Sequence, residues 1–178
     1  MTNVIWIGHD RNEIRNGARL LSVTAWASGH NGSMAVFTDQ AQRRELPFYG
    51  YTRIGYGSSD ASLPAIFDYG IVLDDDIIDT IDIPVYEDGI LIVNTSRNSR
   101  MFDTRFHTIT VDASYLARIV TGNSDPHVAM LGAFTAISNL IRYEQSINAI
   151  SCNSQNDSEK LITLFALSYG AVLSGRAL

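Results

Sequence analysis

The sequence predicts an α/β fold with a mostly parallel sheet and helices on both faces. Three observations carry this. Short unbroken apolar runs at residues 4–7, 69–73 and 90–93 read as strands buried on both sides. Apolar residues also recur at helical spacing, first at Ile14, Ala18, Leu21 and Ala25. Finally, the chain starts as strand, glycine turn, helix, strand, so its first two strands are expected to be parallel with a right-handed crossover.

The first strand ends at Gly8 and the first helix stops near Gly29. The turn between them, Gly8-His9-Asp10-Arg11-Asn12-Glu13, lies at a strand's carboxyl end and a helix N-terminus. Open α/β sheets place ligands there, because unpaired backbone N–H groups point outward. Asp10 and Glu13 suit the helix dipole themselves and repel an anion, while His9 and Arg11 are the residues open to a new role.

Residues 34–37 form the next strand, followed by a polar loop that carries Arg43 and Arg44. Two adjacent guanidiniums offer planar forks for a carboxylate or phosphate. The plainer reading is a pair of solvated surface arginines. Pro47 restarts an extended stretch that alternates through Tyr49, Tyr51 and Arg53.

The Gly/Ser-rich residues 55–64 are expected to be a surface loop. Asp74, Asp75 and Asp76 close the strand at 69–73 and lack calcium-loop spacing, so they read as solvated acids beside a helix cap. Glu87-Asp88-Gly89 turns into the strand at 90–93. Asn94, Thr95 and Ser96 then fall on the carboxyl rim, with local positive charge from Arg97 and Arg100.

Residues 106–111 read as a further strand, and 113–120 as a short helix closed by Gly122. A helix over 128–141 packs through Met130, Leu131, Phe134, Ile137 and Ile141, with Gly132, Ala133 and Ala136 permitting close approach. Another helix covers 143–150. Asn156 and Glu159 have capping-box spacing before a last helix that runs to about Leu173.

With 178 residues, 46% apolar and 18% charged, the chain suits a single globular domain over 1–178. A chain of this size buries roughly 70% of its unfolded surface without staples. A net charge of −6 argues against a nucleic-acid partner. Cys152 is the only cysteine, so no internal disulfide and no iron–sulfur cluster is expected on this chain. No apolar run is long enough to span a membrane, and the strand-like start has no leader-like basic region, so a cytoplasmic location is expected.

Catalytic motifs are missing: there is no Gly-x-Ser-x-Gly, no phosphate-binding Gly-Lys-Ser/Thr loop and no His-Glu-x-x-His. The four histidines are scattered, and His30 and His127 read as surface groups near element ends. Cys152 has no evident base beside it. A self-sufficient enzyme is not expected.

Five segments nevertheless share an order. They are Gln42-Arg43-Arg44 with Pro47 and Tyr51-Thr52-Arg53-Ile54, residues 68–74, residues 89–96, Val111-Asp112-Ala113, and residues 129–134. Together they resemble the gamma subunit, or gamma domain, of the pyruvate/2-oxoacid:ferredoxin oxidoreductases, from residue 4 to about 170. The resemblance implies a single Rossmann-like gamma domain within a thiamine-diphosphate- and iron–sulfur-dependent complex. Such a complex oxidatively decarboxylates a 2-oxoacid, usually to an acyl-CoA, and passes electrons to ferredoxin or a similar acceptor.

It further implies that thiamine diphosphate, magnesium and [4Fe-4S] clusters sit on alpha, beta and delta partner subunits, with coenzyme A possible at the gamma side. Carried over, Gln42, Arg43 and Arg44 fall on the family's arginine loop, as inter-subunit pairs or contacts to a coenzyme A or substrate anion. Gly8, His9, Arg11 and Asn94 fall on the cofactor rim, and Met130 and Gly132 on the late helix. The departure is at residues 8–13, where relatives carry Gly-x-Gly-Gly-x-Gly and only Gly8 is kept. The alternatives are a structural subunit that binds no coenzyme A, or the related indolepyruvate-type small subunit.

Overall fold

The computed structural model describes residues 1–37, 47–55, 63–102, 105–154 and 157–175. The strands are β1 (Thr2–Gly8), β2 (Gly32–Phe37), β3 (Phe48–Ile54), β4 (Phe67–Val72), β5 (Val85–Asn94) and β6 (His107–Val111). The α-helices are α1 (Arg11–Ala27), α2 (Ala113–Thr121), α3 (His127–Ser138), α4 (Tyr143–Asn153) and α5 (Ser158–Leu173). Short 3-10 turns cover Asp75–Asp79 and Ser99–Met101.

One six-stranded sheet runs in the order β2-β3-β1-β4-β5-β6. The pairings β1/β4, β4/β5 and β5/β6 are parallel, whereas β2/β3 and β3/β1 are antiparallel. The α/β class with a mostly parallel sheet therefore stands. The opening unit needs correction: β1 and β2 run in the same direction but are not neighbours, because β3 folds back between them.

Alternation within β3 explains why it fits there. Gly50, Thr52 and Ile54 are buried on one face, while Tyr49, Tyr51 and Arg53 are half-buried on the other. Thr52 donates its hydroxyl to the Ala18 carbonyl of α1 at 3.0 Å, which ties the inserted strand to the first helix.

The two faces of the sheet are covered unequally. All five α-helices contribute to one core cluster, which includes Trp6, Ile71, Ile92 and Val111 from the strands. The opposite face gathers Ile5, Ile7, Val72, Leu91 and Val93 under the 3-10 turn at Ile77, with Ile83 and Phe102. The α-helices of the described residues thus cover one face, whereas the other carries 3-10 turns and loop residues in place of the expected helices.

Two glycines mark close approaches that bear on how the helices pack. A Cβ on Gly17 would lie 2.5 Å from the Trp6 ring, so α1 rests directly on the indole. A Cβ on Gly132 would lie 2.5 Å from the Phe165 carbonyl, and Ser168 donates to the Ala129 carbonyl at 2.6 Å. The expectation that Gly132 permits close packing holds, and α5 is the neighbour it admits.

The helix expected over 128–141 ends earlier, at Ser138, because Asn139 turns left-handed at φ 50° and α4 starts at Tyr143. Asn156 of the expected capping box, and most of the expected loop at 55–64, lie outside the described residues. No helix among the described residues is long and apolar enough to cross a membrane.

Candidate functional site at the carboxyl rim

The parallel strands β1, β4 and β5 deliver Gly8, Asp74 and Asn94 to one rim. Asp74 accepts the backbone N–H of His9 at 2.7 Å, and the His9 ring lies 3.1 Å from the Asp76 carboxylate. Asp10 caps α1, accepting the N–H groups of Asn12 at 2.6 Å and Glu13 at 3.2 Å. The outward donors that make such a turn an anion site are therefore held by the chain's own carboxylate.

Asn94 is equally committed. Its amide donates to the Leu73 carbonyl and to the Ser114 hydroxyl, both at 2.8 Å, and its carbonyl accepts the Ser114 N–H at 3.0 Å. It binds the ends of β4 and β5 to the start of α2.

Asp75 accepts from the Arg97 guanidinium at 3.0 Å and from the Thr95 hydroxyl at 2.5 Å. Arg97 also reaches Asp79 at 3.6 Å and lies over the Phe102 ring, 4.7 Å from its centroid. The positive charge expected here from Arg97 is thus neutralised. Of the three consecutive aspartates read as solvated, Asp76 is, while Asp74 and Asp75 are bonding groups of the rim.

These residues line a shallow cavity of about 300 Å³, whose walls include Asp74, Asp75, Asp76 and Asp112. Glu13 adds to the acidity nearby. Burial, then the charges of Asp125, Asp10 and Asp74, raise its pKa to about 7, with His127 opposing. Among the described residues, no group of three or more His, Cys, Asp or Glu side chains is placed to hold a metal ion.

The structure brings Gly8, His9 and Asn94 together at the rim and leaves Arg11 exposed on the first turn of α1. Gln42, Arg43 and Arg44 lie outside the described residues. His127, read as a surface group, is instead only 18% exposed and hydrogen-bonds Asp125 through Nδ1. Burial works to raise the Asp125 pKa, but hydrogen bonding and charge from His127 outweigh it and hold the carboxyl below its ordinary value. An aspartate two residues ahead of a histidine at a helix start was the available signal for this pair.

No protein-family model matches the chain. Over 141 residues it is 34% identical to the pyruvate synthase subunit PorC of Methanosarcina barkeri, covering 75% of each chain. Among solved structures, the pyruvate oxidoreductase subunit PORC of Thermotoga maritima superimposes with a TM-score of 0.80 at 21% identity, over 95% of each chain. The gamma subunit of the keto/oxoacid ferredoxin oxidoreductase of Geobacter sulfurreducens gives 0.81 at 15% identity, over 98% of this chain and 99% of that one.

Proposed function

The chain belongs to the PorC, or gamma-subunit, family of 2-oxoacid oxidoreductases, and from that premise we propose that it is the gamma subunit of a 2-oxoacid:acceptor oxidoreductase complex. The carrying observation is the 34% identity to a pyruvate synthase subunit across three-quarters of both chains. Such a complex decarboxylates a 2-oxoacid oxidatively and passes the electrons to ferredoxin or a similar acceptor. We read residues 1–178 as one gamma-type domain, working in the cytoplasm with alpha-, beta- and delta-type partners.

We read this chain as bringing no self-sufficient catalytic site of its own. A single cysteine cannot ligate an iron–sulfur cluster, which supports assigning the clusters to partner subunits, and we assign thiamine diphosphate and magnesium to those partners as well.

Coenzyme A does not fit the turn at residues 8–13. Its phosphates would meet a helix already capped by Asp10 and a rim walled by aspartates. We therefore read Gly8, His9 and Asn94 as the frame of the rim, and Arg11 as a residue facing a partner chain. Gln42, Arg43 and Arg44 are assigned to an anion or to inter-subunit ion pairs.

Anaerobic affinity purification of the chain from its host tests the reading. The expected product is a brown complex several times the mass of this chain. It carries iron and thiamine diphosphate, and reduces an acceptor when given a 2-oxoacid. A colourless monomer or homodimer without either cofactor overturns it.

A further inference from the structure

Residues of α1, α3, α4 and α5 line a second, half-open cavity of about 310 Å³. Its floor is apolar, formed by the buried side chains of Leu20, Val128 and Ile150. Its mouth is polar. Arg19 of α1 donates to the Asn153 side-chain carbonyl of α4 at 3.1 Å, which fixes the guanidinium at the opening. That bond occupies one of the five guanidinium N–H groups.

His127 lines the same cavity from the first turn of α3. Its Nδ1 is engaged by Asp125, whose carboxyl is held in its ionised form by the pair. Nδ1 therefore carries a proton toward Asp125, and Nε2 is the ring nitrogen left to meet a ligand. Among the described lining residues the one carboxylate is Asp157, 3.6 Å from the Lys160 ammonium, while Asp125 and Glu13 add negative charge beside His127. This is a site of a different kind from the acidic rim: apolar side chains at its base, a guanidinium at its mouth, and an imidazole paired with a half-buried carboxylate.

We propose that this cavity binds a small aliphatic carboxylate. The hydrocarbon part covers Leu20, Val128 and Ile150, and the carboxylate is held by Arg19 and His127. The planar guanidinium matches a carboxylate, and the cavity lies at the small end of the range that small-molecule sites occupy, about 300–1,000 Å³. The proposal is independent of the family assignment, which stands whichever way the test falls.

Calorimetric titration of the full-length chain with isovalerate tests it. Acetate serves as the charge without the chain, and isoamyl alcohol as the chain without the charge. Isovalerate is expected to bind saturably with one site per chain, and both controls at least about tenfold more weakly, as loss of a charged hydrogen bond or of the buried hydrocarbon predicts. R19Q is expected to weaken isovalerate about tenfold. Arg19 is exposed, so this variant keeps the fold.

H127N is expected to weaken isovalerate binding, as loss of a hydrogen bond to the carboxylate predicts. Should far-UV circular dichroism show H127N unfolded, R19Q decides alone. Absence of saturable heat with isovalerate, or unchanged affinity in R19Q, overturns the proposal and leaves a water-filled gap between helices.

Discussion

Asn94 and Ser114 bond to each other twice, amide to hydroxyl at 2.8 Å and backbone N–H to amide carbonyl at 3.0 Å. With the further bond to the Leu73 carbonyl, one side chain ties two strand ends to a helix start. Asn94→Ala leaves half-buried donors and acceptors without their partners, and should cost about 1 kcal/mol in urea unfolding. A loss near zero would mean that water replaces the amide without penalty.

Asp10→Ala removes the cap of α1 and should cost about 1 kcal/mol, seen as a lower melting temperature. In the assembled complex, the dependence of turnover on coenzyme A should stay as it was. A changed apparent affinity for coenzyme A in this variant would place the cofactor at the turn after all.

Gly17→Ala forces a methyl group into the Trp6 ring, and should destabilise by about 1–3 kcal/mol despite alanine's better helix propensity. Gly122→Ala is a useful comparison. It strains a left-handed cap at φ 84° but meets no neighbouring atom, so its cost is backbone strain alone. Chemical denaturation of both variants separates steric overlap from conformational strain.

Glu13 has a folded pKa of about 7 against an ordinary value of 4.5. The folded state therefore holds its proton more tightly than the unfolded chain, and stability falls as pH rises from about 4.5 to about 7. Solvent screening at this partly exposed site limits the effect to under about 1 kcal/mol. Glu13→Gln should stabilise the protein at pH 8 and change little at pH 4, a contrast read from melting temperatures at the two values. Equal shifts at both would show that charge is not the cause.

Much of the fold was legible because its signals are local. The buried runs at β1, β4 and β5, and the spacing of Ile14, Ala18, Leu21 and Ala25, announce their elements within a few residues. The position of β3 was not, because alternation through Tyr49, Tyr51 and Arg53 specifies a strand and its faces but not its neighbours. The rim was half legible. Asn94 and the turn after Gly8 fall where the strand ends put them, whereas the His9–Asp74 bond joins residues 65 apart. The Arg97 charge looked available until Asp75 and Asp79 were brought beneath it by the 3-10 turn.

The central place of β1 has a consequence for how the chain comes to be folded. Both edges of β1 are completed by strands later in the chain, residues 48–54 on one side and 69–72 on the other. Until those emerge, a wholly apolar ribbon through Val4, Ile5, Trp6 and Ile7 has no partner for its backbone groups. Closing it requires contacts far apart in sequence, which slows folding and lengthens exposure of a sticky edge. A nascent chain arrested before β4 is thus the species most in need of a chaperone.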